Sequence, residues 1–476
     1  MEWTEPAMYP VRLWSVRHAR GLQRAYRWFA AHAPRLAPLL RRLGPRRGEA
    51  LLYPIERTLK RFLFDCQECG QCVLSQTGMA CPMNCPKQMR NGPCGGVRPD
   101  GNCEVDPGMR CVWVEALEGR RRIHAGGEAG AAPVLPAVDA RRRGRSTWIT
   151  VIHGEPEPVV TAVPVGTSRP ERAVESFEAA CRSGRSVVTV EVAPPDSADP
   201  ADLLARAARF KGLVDAINIT DGAGGNCHMS SVAAAALLAA NGYVPVYQTV
   251  CRDRNRIAIQ GDLLGAAALG VRNVLCLTGD DVTRGDHPEA RPVFDLDAVT
   301  LLGIARGMCE RGEFASGRRL LAAPEFFLGA TVNPFVPPRD DRIANLEQKI
   351  AAGARFIQTQ FCFDVPMFER FMAEVRRRGL HQRAFILAGT GTLASARALR
   401  WMAQNVPGVY VPAELLRRIE AAADQKAEAM RACIETVQAL AGIEGVAGVH
   451  LMGHRNEDVL AEVIVESGLA MRVRPS

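Results

Sequence analysis

From residue 173 to the end of the chain, short β-branched or apolar runs alternate with amphipathic stretches. This alternation constrains the fold more than any other feature of the sequence. The runs predict strands over 187–192 (VVTVEV), 214–219, 244–250, 273–278, 326–332, 355–361, 384–388 and 447–452. Helices are predicted over 200–210, 229–241, 256–269, 296–311, 341–353, 366–378, 393–404, 411–440 and 455–467. A strand-then-helix unit repeated through all eight runs predicts an α/β fold, a (β/α)8 TIM barrel over 173–476. A doubly wound open sheet is the alternative, but no G-x-G-x-x-G follows the first strand.

What precedes the barrel is different in kind. Residues 1–61 carry thirteen basic and four acidic side chains, +9 in a chain whose total is +8. The basicity is therefore local, which argues against a nucleic-acid binder. Residues 11–31 and 35–43 read as helical, making 1–59 a basic helical arm. The arm suits a solvated collar, a docking face for an acidic partner, or an anionic membrane surface. No run approaches the roughly 18–20 apolar residues of a transmembrane helix. The first thirty residues lack the apolar core of a secretory leader, so a cytoplasmic location is expected. Residues 117–172, rich in Gly, Ala, Pro and Arg, read as a linker.

Fifteen cysteines are present, and eight of them crowd into 60–116: Cys66, Cys69, Cys72, Cys81, Cys85, Cys94, Cys103 and Cys111. Where disulfides are disfavoured, such density points to metal ligands. Eight thiolates are enough for two four-sulfur sites. The Cys66-x2-Cys69-x2-Cys72 run, and Cys85 followed by Pro86, resemble iron–sulfur loops, although the gap from Cys72 to Cys81 is longer than in compact ferredoxins. Zinc is the rival ligand. A metal would stabilise a segment too small to do so by apolar burial.

In a (β/α)8 barrel the C-terminal strand ends form the working face. Glu191 closes the first run. Thr220-Asp221-Gly222-Ala223-Gly224-Gly225 follows the second. Gln248 and then Arg252-Asp253-Arg254-Asn255-Arg256 belong to the third, Thr278-Gly279-Asp280-Asp281 to the fourth, Asn333 to the fifth, and Gln358, Gln360 and Asp364 to the sixth. Carboxylates at 191 and 280 would face one cavity, and two environments can drive them to different pKa values. Plainer roles compete: Asp280 or Asp253 as caps, the glycines as a turn, Gln360 bonded to backbone.

Glu191-Val192-Ala193-Pro194-Pro195, Thr220-Asp221-Gly222-Ala223-Gly224, Leu277-Thr278-Gly279-Asp280 and the Gly353-Ala354…Thr359-Gln360-Phe361…Phe363-Asp364 block together resemble the methylenetetrahydrofolate reductase family. Residues 60–116 resemble the cysteine-rich partner subunit of acetogen-type members, here fused ahead of the barrel. The resemblance implies flavin-dependent reduction of 5,10-methylenetetrahydrofolate to 5-methyltetrahydrofolate in one-carbon and methionine metabolism. It implies Glu191 as general acid, Asp280 as the carboxylate beside flavin and folate, and Gln360 as a folate contact. Thr220, Gln248, Thr278, Gly279, Asp280, Ala330, Asn345 and Lys349 fall at flavin-contacting positions, with Lys349 toward the phosphates. The departures are Gln248 in place of a histidine, Arg342 near an acidic position, and Gly389-Thr390-Gly391-Thr392 without a proline. They leave FMN open beside FAD, with Arg252 and Arg254 as other phosphate partners. Electrons would come from NAD(P)H or, through iron–sulfur clusters, from a redox protein; a homo-oligomer is expected. Methyltetrahydrofolate oxidation and a non-catalytic electron-transfer or assembly role are the alternatives.

Overall fold

The structure is a computed structural model and describes residues 9–43, 45–124, 134–153, 176–337, 339–392, 395–406, 408–453 and 455–469. Much of the linker read over 117–172 lies outside the described residues. The chain divides into two compact units, one of Met1–Pro93 and Gly101–Thr161, the other of Cys94–Asp100 and Ala162–Ser476. The seven residues 94–100 thus belong with the barrel.

In the second unit eight parallel strands close in sequence order: β1 Val187–Val192, β2 Ala216–Ile219, β3 Pro245–Val250, β4 Asn273–Leu277, β5 Phe327–Val332, β6 Phe356–Thr359, β7 Phe385–Thr390 and β8 Val446–Leu451. β1 pairs with β8 through Val187 and Gly448, which closes the ring. The barrel predicted from the alternating pattern is the barrel observed. The stretch expected as one helix over 411–440 is two, Ala413–Glu420 and Gln425–Ala441. Asp424 caps the second by accepting from Ala427 N, which restarts the helix. The helix after β3 starts at Arg256 and is capped by Asn255, not Asp253.

The N-terminal end of the barrel is plugged. A short helix, Phe177–Arg182, places Phe177 in one buried cluster with Val187, Ala216, Val246, Leu275, Phe327, Phe356 and Leu387. The Phe177 ring meets Phe356 edge-on at 5.1 Å, and Phe356 stacks on Phe327 at 5.0 Å. Gly329 on β5 makes room for this: a Cβ there would run into the Phe356 ring. Gly329→Ala is expected to destabilise the fold by about 1–3 kcal/mol through overpacking, read as a lower denaturation midpoint at unchanged slope.

In the first unit, helices Tyr9–Arg17, Ala19–His32 and Ala37–Leu43 lead into a twenty-residue helix, Pro45–Phe64. The last of these lies beyond the two stretches, 11–31 and 35–43, read as helical, and carries Pro54 in its interior. The arm packs into its own unit. Arg12 is buried, with Nη1 3.9 Å from Asp65 and Nη2 3.8 Å from Glu115. Ala19, Phe64, Leu74 and Met79 form a shared core. Residues 65–111 hold little regular structure, a 3-10 turn at Pro82–Asn84 and an isolated bridge between Asn102 and Arg110. Among the described residues no helix is long and apolar enough to cross a membrane.

Candidate active site

Side chains alternate in and out along a strand, so the residues two and four places beyond the plug share its inner face. From Val187 these are Thr189 and Glu191; from Ala216, Asn218 and Thr220; from Val246, Gln248; from Phe356, Gln358 and Gln360. The interior is therefore layered: apolar at the bottom, uncharged polar in the middle, acidic at the C-terminal mouth.

The middle layer is a closed hydrogen-bond network. Asn218 Nδ2 donates to Gln358 Oε1 at 2.7 Å, and Gln358 Nε2 donates back to Asn218 Oδ1 at 3.1 Å. Gln358 Nε2 also lies 3.3 Å from Thr189 Oγ1, and His450 Nδ1 is 2.9 Å from that hydroxyl. Burial keeps His450 neutral, its pKa lowered to about 3.

Glu191 sits one layer above. Its carboxyl is surrounded by protein, yet 29% of the side-chain surface stays open toward the mouth. Burial pushes its pKa up to about 7; the Gln248 amide, donating at 3.2 Å, pulls it back, and the Asp280 carboxylate adds to the rise. Glu191 is thus a carboxylic acid poised near neutrality, while Asp280 is exposed after β4 and accepts from Gly224 N at 2.9 Å. The turn cap after β4 is Asp281, which accepts from Thr283 N at 3.1 Å, so Asp280 is not that cap.

Other mouth residues have more local duties. Gln248, expected against a flavin, spends its amide on Glu191. Gln360 Oε1 accepts from Phe361 N at 3.0 Å, beside the half-buried, stacked rings of Phe361 and Phe363. Thr278 Oγ1 accepts from Ala298 N at 3.4 Å. Gly279 has φ +102, and a Cβ there would press on Arg252 Cβ at 2.8 Å. Ala330 is fully buried on the face of β5 opposite Phe327. Asn345 is also buried. Lys349 donates to Thr331 O at 2.7 Å, and burial, reinforced by Arg342, lowers its pKa to about 8. Arg254 pairs with Asp221 and with Asp262 at 3.0 Å; Arg252 pairs with Asp253 at 2.6 Å. These ion pairs compete with any phosphate for either arginine. Asp364 caps Val365–Arg377, and Asn333 donates to Gly408 O at 2.7 Å and Gly95 O at 2.8 Å. Thr220 Oγ1 and Arg252 Nη1 are buried without a hydrogen-bond partner, as an additional ligand would require.

In the first unit, Cys66, Cys69, Cys72 and Cys81 line one cavity with Lys60, Glu56 and Arg90. None of the four is in a disulfide. Burial pushes the Cys66 thiol up to about 12, with Cys72 and Cys69 adding to the rise. Cys81 is raised by burial and then by Cys66, Cys69 and Cys72. Cys85, Cys103 and Cys111 do not line that cavity, and Cys94 lies in the other unit. Among the described residues, no three His, Cys, Asp or Glu side chains close on a single metal ion.

Fold and site together define a (β/α)8 barrel with a near-neutral acid and an anion at its mouth. The family model described as methylenetetrahydrofolate reductase matches residues 176–468, and the chain belongs to that family. A second model, described as methylene-tetrahydrofolate reductase C terminal, matches residues 47–138, ahead of the barrel. A probable methylenetetrahydrofolate reductase (NADPH) of Caenorhabditis elegans is 26% identical over 246 residues, 50% of this chain and 34% of that protein. Methylenetetrahydrofolate reductase 2 of Schizosaccharomyces pombe is 28% identical over 211 residues, 43% of this chain and 32% of that one. The chain thus spans about a third of the length of these curated relatives. A Clostridium thermocellum protein solved with two copies of 5-methyl-5,6,7,8-tetrahydrofolic acid has a TM-score of 0.43 at 12% identity, covering 62% of this chain and 98% of its own; that likeness carries no argument.

Proposed function

We propose that the barrel reduces 5,10-methylenetetrahydrofolate to 5-methyltetrahydrofolate with a bound flavin, FAD or FMN. The observation that carries this reading is Glu191, a half-buried acid whose pKa is raised to about 7 by burial and, further, by the Asp280 carboxylate. Glu191 donates its proton to N10 of the folate as the bond from N10 to the methylene carbon breaks. The resulting N5 iminium is a cation, and the Asp280 carboxylate stabilises it. Gln360 and the Phe361–Phe363 pair bound the folate. A reduced flavin, when bound, supplies the hydride that turns the methylene into a methyl. Thr220, Thr278 and Gly279 would hold it, with Asn345 and Lys349 behind; the unpaired Thr220 hydroxyl fits such a ligand. Water at the mouth then reprotonates Glu191.

Cys66, Cys69, Cys72 and Cys81 would hold a metal group. The Cys66-x2-Cys69-x2-Cys72 spacing and the shared cavity support an iron–sulfur cluster, with zinc as the rival. Such a cluster would admit electrons from a redox protein, beside or instead of NAD(P)H.

The test is anaerobic. The chain, loaded with FAD or with FMN and reduced, is mixed with 5,10-methylenetetrahydrofolate, and return of the oxidised-flavin spectrum is timed. The rate is expected to fall as pH rises through about 7, because the acid must be protonated. No folate-dependent reoxidation with either flavin would sink the proposal. Stability should follow the same group. Its folded pKa is raised, so its contribution is complete at pH values below the ordinary glutamate range and is lost as pH rises through about 7.

A further inference from the structure

The proposed chemistry leaves one buried ring in the barrel without a task. His450, on β8, lies beneath Glu191, with Nε2 4.0 Å from Glu191 Oε2. Its other nitrogen, Nδ1, is 3.3 Å from Gln358 Nε2 and 2.9 Å from Thr189 Oγ1. An amide nitrogen only donates, so Nδ1 accepts, and the one proton of the neutral ring resides on Nε2, facing Glu191. Gln358 is held in this orientation by its two bonds with Asn218. Gln248 Nε2 donates to the same carboxyl oxygen at 3.2 Å. Gln248 thus supplies the hydrogen bond to Oε2, and the His450 Nε2–H faces the same oxygen from 4.0 Å, just outside hydrogen-bonding distance. A hydroxyl hydrogen on that oxygen would point at donors, whereas Oε1 accepts from none among the described residues.

We propose that His450 is a positioning residue which, with Gln248, reserves Oε2 of Glu191 as an acceptor and so places the transferable proton on Oε1. The proposal rests on Glu191 being the acid. His450 itself gains and loses nothing in the reaction. The titratable group beside it is Glu191 on β1; β2, β3 and β6 present the uncharged Asn218, Gln248 and Gln358.

The first test needs no turnover. The full chain, labelled with 15N at its nine histidine rings, is followed by NMR from about pH 5 to about pH 8, with His450→Gln assigning the signal. A non-titrating ring protonated at Nε2 is expected; an Nδ1–H ring, or one that titrates in this window, overturns the proposal. The second test is the pH profile of the folate half-reaction. His450→Ala removes an N–H from beside the anionic form, so the limb near 7 should move to higher pH and the rate fall about tenfold. His450→Gln, which retains an N–H, should recover most of that loss. An unmoved limb without rescue would mark the ring as filler. Should the alanine variant not fold, Thr189→Val should move the limb in the same direction by freeing the ring. A chain that never turns over folate would overturn the function and the positioning with it, whereas turnover with an unmoved limb would overturn the positioning alone.

Discussion

Replacing Glu191 with Gln is expected to slow the folate half-reaction by about 10²–10⁴-fold, the usual contribution of a positioned acid. The amide has nearly the same shape, and its oxygen can still accept from Gln248, so the barrel should fold. It lacks only the proton that N10 needs. Flavin affinity and the rate of flavin reduction by its donor should change by no more than a few-fold. Stopped-flow measurement of the two half-reactions separates these quantities. Folate turnover at the parental rate in the variant would remove Glu191 from the mechanism. Asp280→Asn is expected to do less, slowing the folate step more than the donor step. A neutral amide still fills the space and accepts from Gly224, but it cannot stabilise a cation as an anion does.

Cys81→Ser should have the second-largest effect. Cys81 is half-buried in one cavity with Cys66, Cys69 and Cys72, and each thiolate makes the next harder to form. Four such groups are all deprotonated only when a cation compensates them. The segment 65–111 has few strands or helices to hold it otherwise. Loss of one ligand is therefore expected to release the metal and open this segment to protease, while the barrel stays folded. Metal analysis with limited proteolysis reads both. Cys433→Ser, in the helix Gln425–Ala441, is the control and should keep its metal. Full metal content in the Cys81 variant would show that the four thiols are not the ligands.

All eight barrel strands were legible because each is a short apolar run bounded by helix-period sequence, and none shifts by more than two residues at either end. Glu191 stood out as a carboxylate in such a run. Its partner did not. That Gln248 serves Glu191 depends on β1 and β3 converging across the interior, and no local pattern encodes that. His450 reads as one polar residue in an apolar strand, and only closure of β8 onto β1 gives it neighbours. The helix Pro45–Phe64 runs beyond the stretches read as helical, and it holds Pro54 because tertiary packing outweighs that local penalty. The cysteine run raised the expectation of a metal group, but it could not say which four sulfurs share a cavity.

The allotment of residues 94–100 bears on how this polypeptide can be dissected. Arg342 is buried and donates to Cys94 O at 2.6 Å, besides Pro337 O at 2.8 Å, and Asn333 reaches Gly95 O. A clone begun at residue 162 would discard those two acceptors, costing the buried Arg342 one of its carbonyl partners and Asn333 one of its two. Shortened versions intended for crystallisation or assay should begin upstream of the cysteine run, or supply it as a separate strand for complementation.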